Sequence, residues 1–255
     1  MLILKLTLVP LFVALIAIIG RKWGAKVAGL MSGFPVIAGP IVYFIYLEQG
    51  TEFAKTVAVS TVAGVVPLAS FCFAYAWAAT RLSWGAAVTF ALGVYGVLVV
   101  AMVKMELTLY EAGALALMTL FVQILLSPKH NRQTGLTSAS NAEVATRMLC
   151  AAGLVMAVTF FARTMGTGYS GVLAAFPIAS TVIAVFSHKN HSAFHAMDSL
   201  KALKMGLISL LSFFFSLSLL AEYVNFSVAF ALSSLVAVVV QYAVWVVRSY
   251  KSRSK

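Results

Sequence analysis

The chain has 255 residues, 62% of them hydrophobic and only 10% charged, with a mean hydropathy of +1.00. Soluble domains carry about 25% charged residues, so the composition excludes an ordinary soluble domain. A net charge of +11 would suggest a nucleic-acid partner in a soluble protein, but here its placement along the chain points to membrane insertion.

Apolar runs of about 20 residues recur along the whole length, and each is long enough to cross a bilayer as a helix. Lipid cannot satisfy backbone polar groups, so spanning segments must be helices or closed barrels. These runs are too long and too uniformly apolar for barrel strands. The expected class is an all-α integral membrane protein, with spans near 2–20, 28–47, 54–79, 84–103, 107–127, 146–164, 168–187, 200–221 and 226–247. The first run, MLILKLTLVPLFVALIAIIG, lacks a basic leader and a small-residue cleavage site, and Arg21-Lys22 follows it directly. It therefore reads as a retained span and not as a signal peptide. The polar stretch SPKHNRQTGLTSASNAEV separates the fifth span from the sixth, and Trp77 and Trp84 flank a short turn with Arg81, as interfacial aromatics do. Cys72 and Cys150 fall within or beside apolar runs, outside any disulfide or metal-binding pattern.

Lysine and arginine placement sets the orientation. With the N-terminus outside, the cytoplasm receives Arg21, Lys22, Lys26, Arg81, Lys129, Arg132, Arg147, Lys189, Lys201, Lys204, Arg248, Lys251, Arg253 and Lys255. The outside receives only Lys5, Lys55, Lys104 and Arg163, while Glu48, Glu52, Glu106, Glu111 and Glu222 also fall there. That asymmetry predicts a multi-pass protein with its N-terminus out and its C-terminus in the cytoplasm.

The chain also repeats itself. Gly29, Phe34, Pro35, Ile41 and Phe44 match Gly171, Phe176, Pro177, Ile183 and Phe186 at an offset of 142 residues. The register continues ungapped, with Gly64, Leu68, Ser70, Phe71 and Phe73 matching Gly206, Leu210, Ser212, Phe213 and Phe215, and Arg21 and Gly24 matching Arg163 and Gly166. Spans one to four then correspond to spans six to nine. Because five spans separate equivalent positions, the second unit enters the membrane the opposite way. The implied organisation is a first repeat over 1–106, a linking helix and loop over 107–145, an inverted repeat over 146–247 and a basic tail over 248–255.

Inverted repeats with paired Gly/Pro-interrupted spans are a recurring transporter architecture, and the interruptions mark the binding site. Proline has no N–H, so Pro35 and Pro177 free carbonyls one turn back, where they can meet a cation or a donor. The candidate solute-binding residues are Ser32, Gly33, Phe34, Pro35 and Pro40 in the first copy, and Phe176, Pro177, Ser180 and Thr181 in the second. The competing reading is a pair of kinked helices that use Gly and Ser for close packing.

Other polar groups carry less. His188, His191 and His195 are spaced for one helical face, with Asp198 a turn further, a pattern either of a transition-metal site or of a solvated cytoplasmic helix start; the second is expected. Gln123, Gln241, Tyr75, Ser209, Ser212 and Ser216 read as packing hydrogen-bonders. No Asp or Glu falls at a span centre, where proton relays place one, and no phosphate-cradling loop or nucleophile–base pair is present, so no enzymatic activity, cofactor or metal is expected.

The segment AGLMSGFP…YFIYLEQG, Ala28–Phe44 above all, resembles the small GlpM-like inner-membrane proteins, whose four-span chains carry a similar Ala-Gly-Leu…Phe-Pro second helix. Ser170–Phe186 repeats it more faintly, without the alanine and the second proline, as if such a unit had been duplicated and inverted. The resemblance implies a bacterial inner-membrane location and little about activity. The expected function is a transporter or permease moving a small polar solute by alternating access; a non-transporting scaffold or assembly subunit of an envelope system is the alternative. The expected partners are the lipid bilayer and a small solute, without nucleic acid, and a homodimer is left open.

Overall fold

The computed structural model describes residues 2–23, 25–32, 35, 38–128, 140–164 and 176–253. Its elements, among the described residues, are all helices: α1 (Leu2–Trp23), α2 (Ala25–Ser32), α3 (Ala38–Ala78), α4 (Trp84–Met105), α5 (Leu109–Leu125), α6 (Asn141–Thr164), α7 (Ile178–Asn190), α8 (Ala193–Leu220) and α9 (Phe226–Arg253). Four of them, α3, α4, α8 and α9 over Phe226–Val247, are long and apolar enough to cross a membrane.

The 41 residues of α3 would measure about 60 Å as one straight rod, twice the hydrocarbon core of about 30 Å. One helix therefore cannot stay in the bilayer, and the chain turns at Gly50, whose φ of 82° and ψ of 178° only glycine adopts without strain. A shorter apolar run is also interrupted. Helix α2 stops at Ser32, Pro35 lies in a turn, and α3 begins at Ala38. Proline cannot donate the hydrogen bond that would carry α2 onward. Instead its carbonyl starts the next helix, accepting the Gly39 N–H at 2.9 Å. Pro177 in turn stands at the N-cap of α7, and its carbonyl accepts the Thr181 N–H at 2.8 Å. The stretch 168–175, expected to precede that break, lies outside the described residues, as do Gly33 and Phe34.

Helices α3 and α8 form the centre. In their spanning windows 56% and 61% of residues are buried, against 17% for α4 and 11% for α9. Helix α4 packs on α3 as α9 packs on α8; α5 touches both central helices, and α1 pairs with α6. In lipid such contacts rest on close packing by small residues, and Ala54, Ala58, Ala69, Ala87, Ala91, Ala112 and Ala116 are all fully buried in the main core. Among the glycines described, the tightest surroundings are at Gly113 of α5, where an added methyl would lie 2.7 Å from the Phe215 ring of α8. Helix α5 starts in a capping box, Thr108 accepting from the Glu111 N–H while the Glu111 carboxylate receives the Thr108 N–H.

One expectation fails here. The histidine run is not one helical face: α7 ends at Asn190, the chain turns, and α8 begins at Ala193 with Ser192 as its N-cap accepting from the His195 N–H. The run does hold a helix start, with all three rings half-buried and Lys189 and Asn190 exposed between them. The reason is that Ser192 offers an oxygen to the first turn of a new helix, which outcompetes continuation of the old one.

Candidate functional site

The early start of α8 moves Lys204 inward. Counted from the sequence as a cytoplasmic flanking charge, it instead lies eleven residues into α8 and is wholly shielded from solvent. Its ammonium donates to Ser127 Oγ at 2.6 Å and to the Gln123 carbonyl at 3.3 Å, both at the C-terminal end of α5. It also sits 4.9 Å from the centre of the Phe73 ring. Carbonyls at a helix C-terminus carry partial negative charge, so α5 supplies what a carboxylate would; among the described residues no ion pair involves Lys204. An ionisable group at such depth is a functional-site candidate by default.

Around it the polar groups of three other helices converge. Gln123 Nε2 donates to Ser70 Oγ at 2.8 Å, linking α5 to α3. Cys72, fully buried one position before Phe73, lies beside Ser180 and within electrostatic reach of Lys204. Ser180 was expected at the site, and Cys72 joins it to the lysine. Thr181, its neighbour in the first turn of α7, is buried with a hydroxyl that has no partner among the described residues, and Gln123 Oε1 is orphaned in the same way. Buried polar atoms without partners are rare, and one of them, Gln123 Oε1, belongs to a residue whose carbonyl already holds the Lys204 ammonium.

The other Phe-Pro unit reaches the same helix. Gln241 of α9 donates from Nε2 to the Leu30 carbonyl of α2 at 3.2 Å and accepts through Oε1 from the Ser209 hydroxyl of α8. One of the carbonyls left without a helical partner at the end of α2 is thus occupied by a protein donor. Both α2 and α7 pack on α8, and Ala28 of α2 shares a buried apolar cluster with Ile183 of α7 and with Phe12, Ile16 and Ile19 of α1.

The expected site residues fare unequally. Pro35 and Pro177 are buried and stand at helix boundaries; Ser180 and Thr181 line the first turn of α7. Phe176 is half-buried, edge-on to Tyr95 of α4 at 5.7 Å. Pro40 is half-buried within the first turn of α3, Ser32 ends α2, and Gly33 and Phe34 fall outside the described residues. Lys204, Gln123, Ser127 and Cys72 were missed as site residues. A glutamine and a serine four residues apart at the end of the fifth span, facing a lysine in the eighth, were the available signal.

At the turn after α7, a second polar cluster ties α6 to the α7–α8 junction. Glu143 accepts from Arg147 at 2.6 Å, and His191 Nε2 lies 3.6 Å from the same carboxylate. Arg147 lies over the Phe186 ring, and His191 packs on His195. Burial holds the His191 ring below its usual 6.5, the Glu143 carboxylate opposing, and burial does the same to His188, whose Nδ1 lies 3.4 Å from the Tyr75 hydroxyl. Among the described residues no three His, Cys, Asp or Glu side chains are arranged to hold a metal ion. No known protein family, curated protein or solved structure matches this chain.

Proposed function

We propose that this protein is a transporter or permease that moves a small polar solute by alternating access, with two inverted four-helix units meeting at the Phe-Pro breaks. The observation that carries the reading is that the helices at both breaks pack on α8, which also holds a buried, solvent-shielded cation bonded to Gln123, whose Oε1 has no partner among the described residues. A merely structural bundle has little reason to keep an ammonium and orphaned acceptors in an apolar core, since each costs free energy. The pairing of helices supports an exchange of the two units: α1 meets α6, α3 meets α8, and α4 and α9 lie outside α3 and α8 in the same way. In this account Ser180 and Thr181 contact solute from one unit, the segment around Pro35 from the other, and Lys204 supplies positive charge.

The charge asymmetry supports an N-terminus outside and a C-terminus in the cytoplasm, and the resemblance at Ala28–Phe44 supports a bacterial inner membrane. One observation favours the scaffold reading: the Leu30 carbonyl is already hydrogen-bonded by Gln241, as in a seam built for packing.

An unbiased comparison of metabolites inside and outside cells with and without the protein tests the proposal. Transport predicts a solute whose distribution shifts with the wild-type chain and not with Pro177→Ala, which restores an N–H and extends α7, while both proteins insert equally. No shifted solute, together with an envelope assembly defect in Pro177→Ala, would favour the scaffold.

A further inference from the structure

We propose that the cleft between the end of α1 and the start of α6 binds the phosphate headgroup of an anionic phospholipid. The cleft holds about 560 Å³ and is lined by Ile18, Arg21, Lys22, Asn141 and Val144. Two of these five residues are cations and none is acidic. The Arg21 guanidinium is fixed at the rim by one hydrogen bond, Nη1 to Asn141 Oδ1 at 3.0 Å. A guanidinium has five N–H donors in a fork that fits phosphate oxygens. The one carboxylate near the start of α6, Glu143, is engaged by Arg147 at 2.6 Å and is mostly buried, so it does not cancel the cleft's charge.

The surroundings select a lipid over a free anion. Leu11, Leu15 and Ile18 are all exposed and, at spacings of four and three, form one stripe down α1 from the cleft. An acyl chain laid along that stripe would continue directly from a headgroup seated between Arg21 and Lys22. Trp23, exposed at the same end with the Lys22 ammonium 5.4 Å from its ring centre, marks the level of the interface. Basic pockets between membrane helices are known sites for anionic headgroups. This inference is independent of which solute is moved, and of whether any is.

The test uses the full chain, purified in neutral detergent and titrated with phosphatidylglycerol, phosphatidylcholine or inorganic phosphate, with bound molecules counted by native mass spectrometry. We expect one phosphatidylglycerol retained per chain in preference to phosphatidylcholine, and a loss of about twenty-five-fold in Arg21→Gln/Lys22→Gln, from about a factor of five per basic residue. Because those charges also guide insertion, Ile18→Trp provides a second variant that keeps both cations and fills the apolar wall; it should lose phosphatidylglycerol as well. Equal retention of the two lipids, undiminished phosphatidylglycerol binding in Ile18→Trp, or displacement of the lipid by equimolar inorganic phosphate would overturn the assignment, the last in favour of a free-anion site.

Discussion

Replacing Lys204 separates a functional cation from a structural brace. In Lys204→Met the protein loses two hydrogen bonds from a charged donor, worth about 1.5–3 kcal/mol each, and a contact with Phe73 worth about 2 kcal/mol when desolvated. Against this, an ammonium no longer has to be held away from water, which offsets several kcal/mol. Its acceptors are not stranded either, because Ser127 Oγ itself donates to the Gln123 carbonyl at 2.7 Å. Methionine fills much of the same volume beside Phe73, so the net change should be within about 2 kcal/mol of zero. For a chain of this size that is a shift of less than about 8 °C in Tm. Lys204→Ala leaves a cavity and should cost about 2–5 kcal/mol. Lys204→Glu sets a carboxylate against the C-terminal carbonyls of α5 and should prevent folding. Thermal unfolding in detergent, followed by a thiol-reactive dye on Cys72 in a Cys150→Ser background, reads all three, since Cys72 is fully buried until the helices part. The functional reading requires Lys204→Met to fold and to lose the metabolite shift. If Lys204→Met unfolds as Lys204→Glu does, the ammonium is a brace; if it folds and keeps the shift, the lysine has no part in transport.

Gln241→Leu strands both the Leu30 carbonyl and the Ser209 hydroxyl and should cost about 1–3 kcal/mol; an unchanged melting temperature would mean that water replaces the amide. Gly113→Leu forces α5 away from the Phe215 ring and should cost about 1–3 kcal/mol, whereas Gly153→Leu, with open space around it, should leave the melting curve in place. Burial holds His191 and His188 below 6.5 in the folded protein, so the unfolded chain binds protons more readily as pH falls. Their contribution is fully present above pH 6.5 and is lost as pH drops toward the folded-state values; His191→Gln should flatten the fall in melting temperature between neutral and mildly acidic pH, and an unaltered slope would contradict the shielding of that ring.

The helices were legible because apolar runs near 20 residues admit little else in lipid, and the break at Pro35 was legible because a missing N–H cannot be hidden. The turn between the second and third spans was legible as well: the polar run Glu48–Glu52 separates them, and Gly50 within it takes the positive φ that lets the chain turn. Lys204 was misplaced because hydropathy puts the start of the eighth span near residue 200, where charge density falls. The helix itself begins at Ala193, since Ser192 offers an N-cap oxygen to the His195 N–H, and Lys204 therefore lies about three turns in, where the sequence reading put it about one. The same cap splits the histidine run between two helices. Gln241 was read as a packing group, and it is one, but its target lies 211 residues away in α2. Spacing along the chain carries no trace of such a contact.

Alternating access across the Phe-Pro units is tested most directly by Ser180→Cys and Ala38→Cys, made singly in a Cys72→Ser/Cys150→Ser background. Each is exposed in right-side-out and inside-out vesicles to a membrane-impermeant thiol reagent. Ser180 is buried at the first turn of α7, and Ala38 is half-buried at the start of α3. Alternating access predicts that both cysteines label from both faces, and that a crosslink trapping one conformation abolishes labelling from one face while raising it from the other. Cysteines that stay unlabelled from either face in folded protein, or label from one face only under every condition, would contradict it.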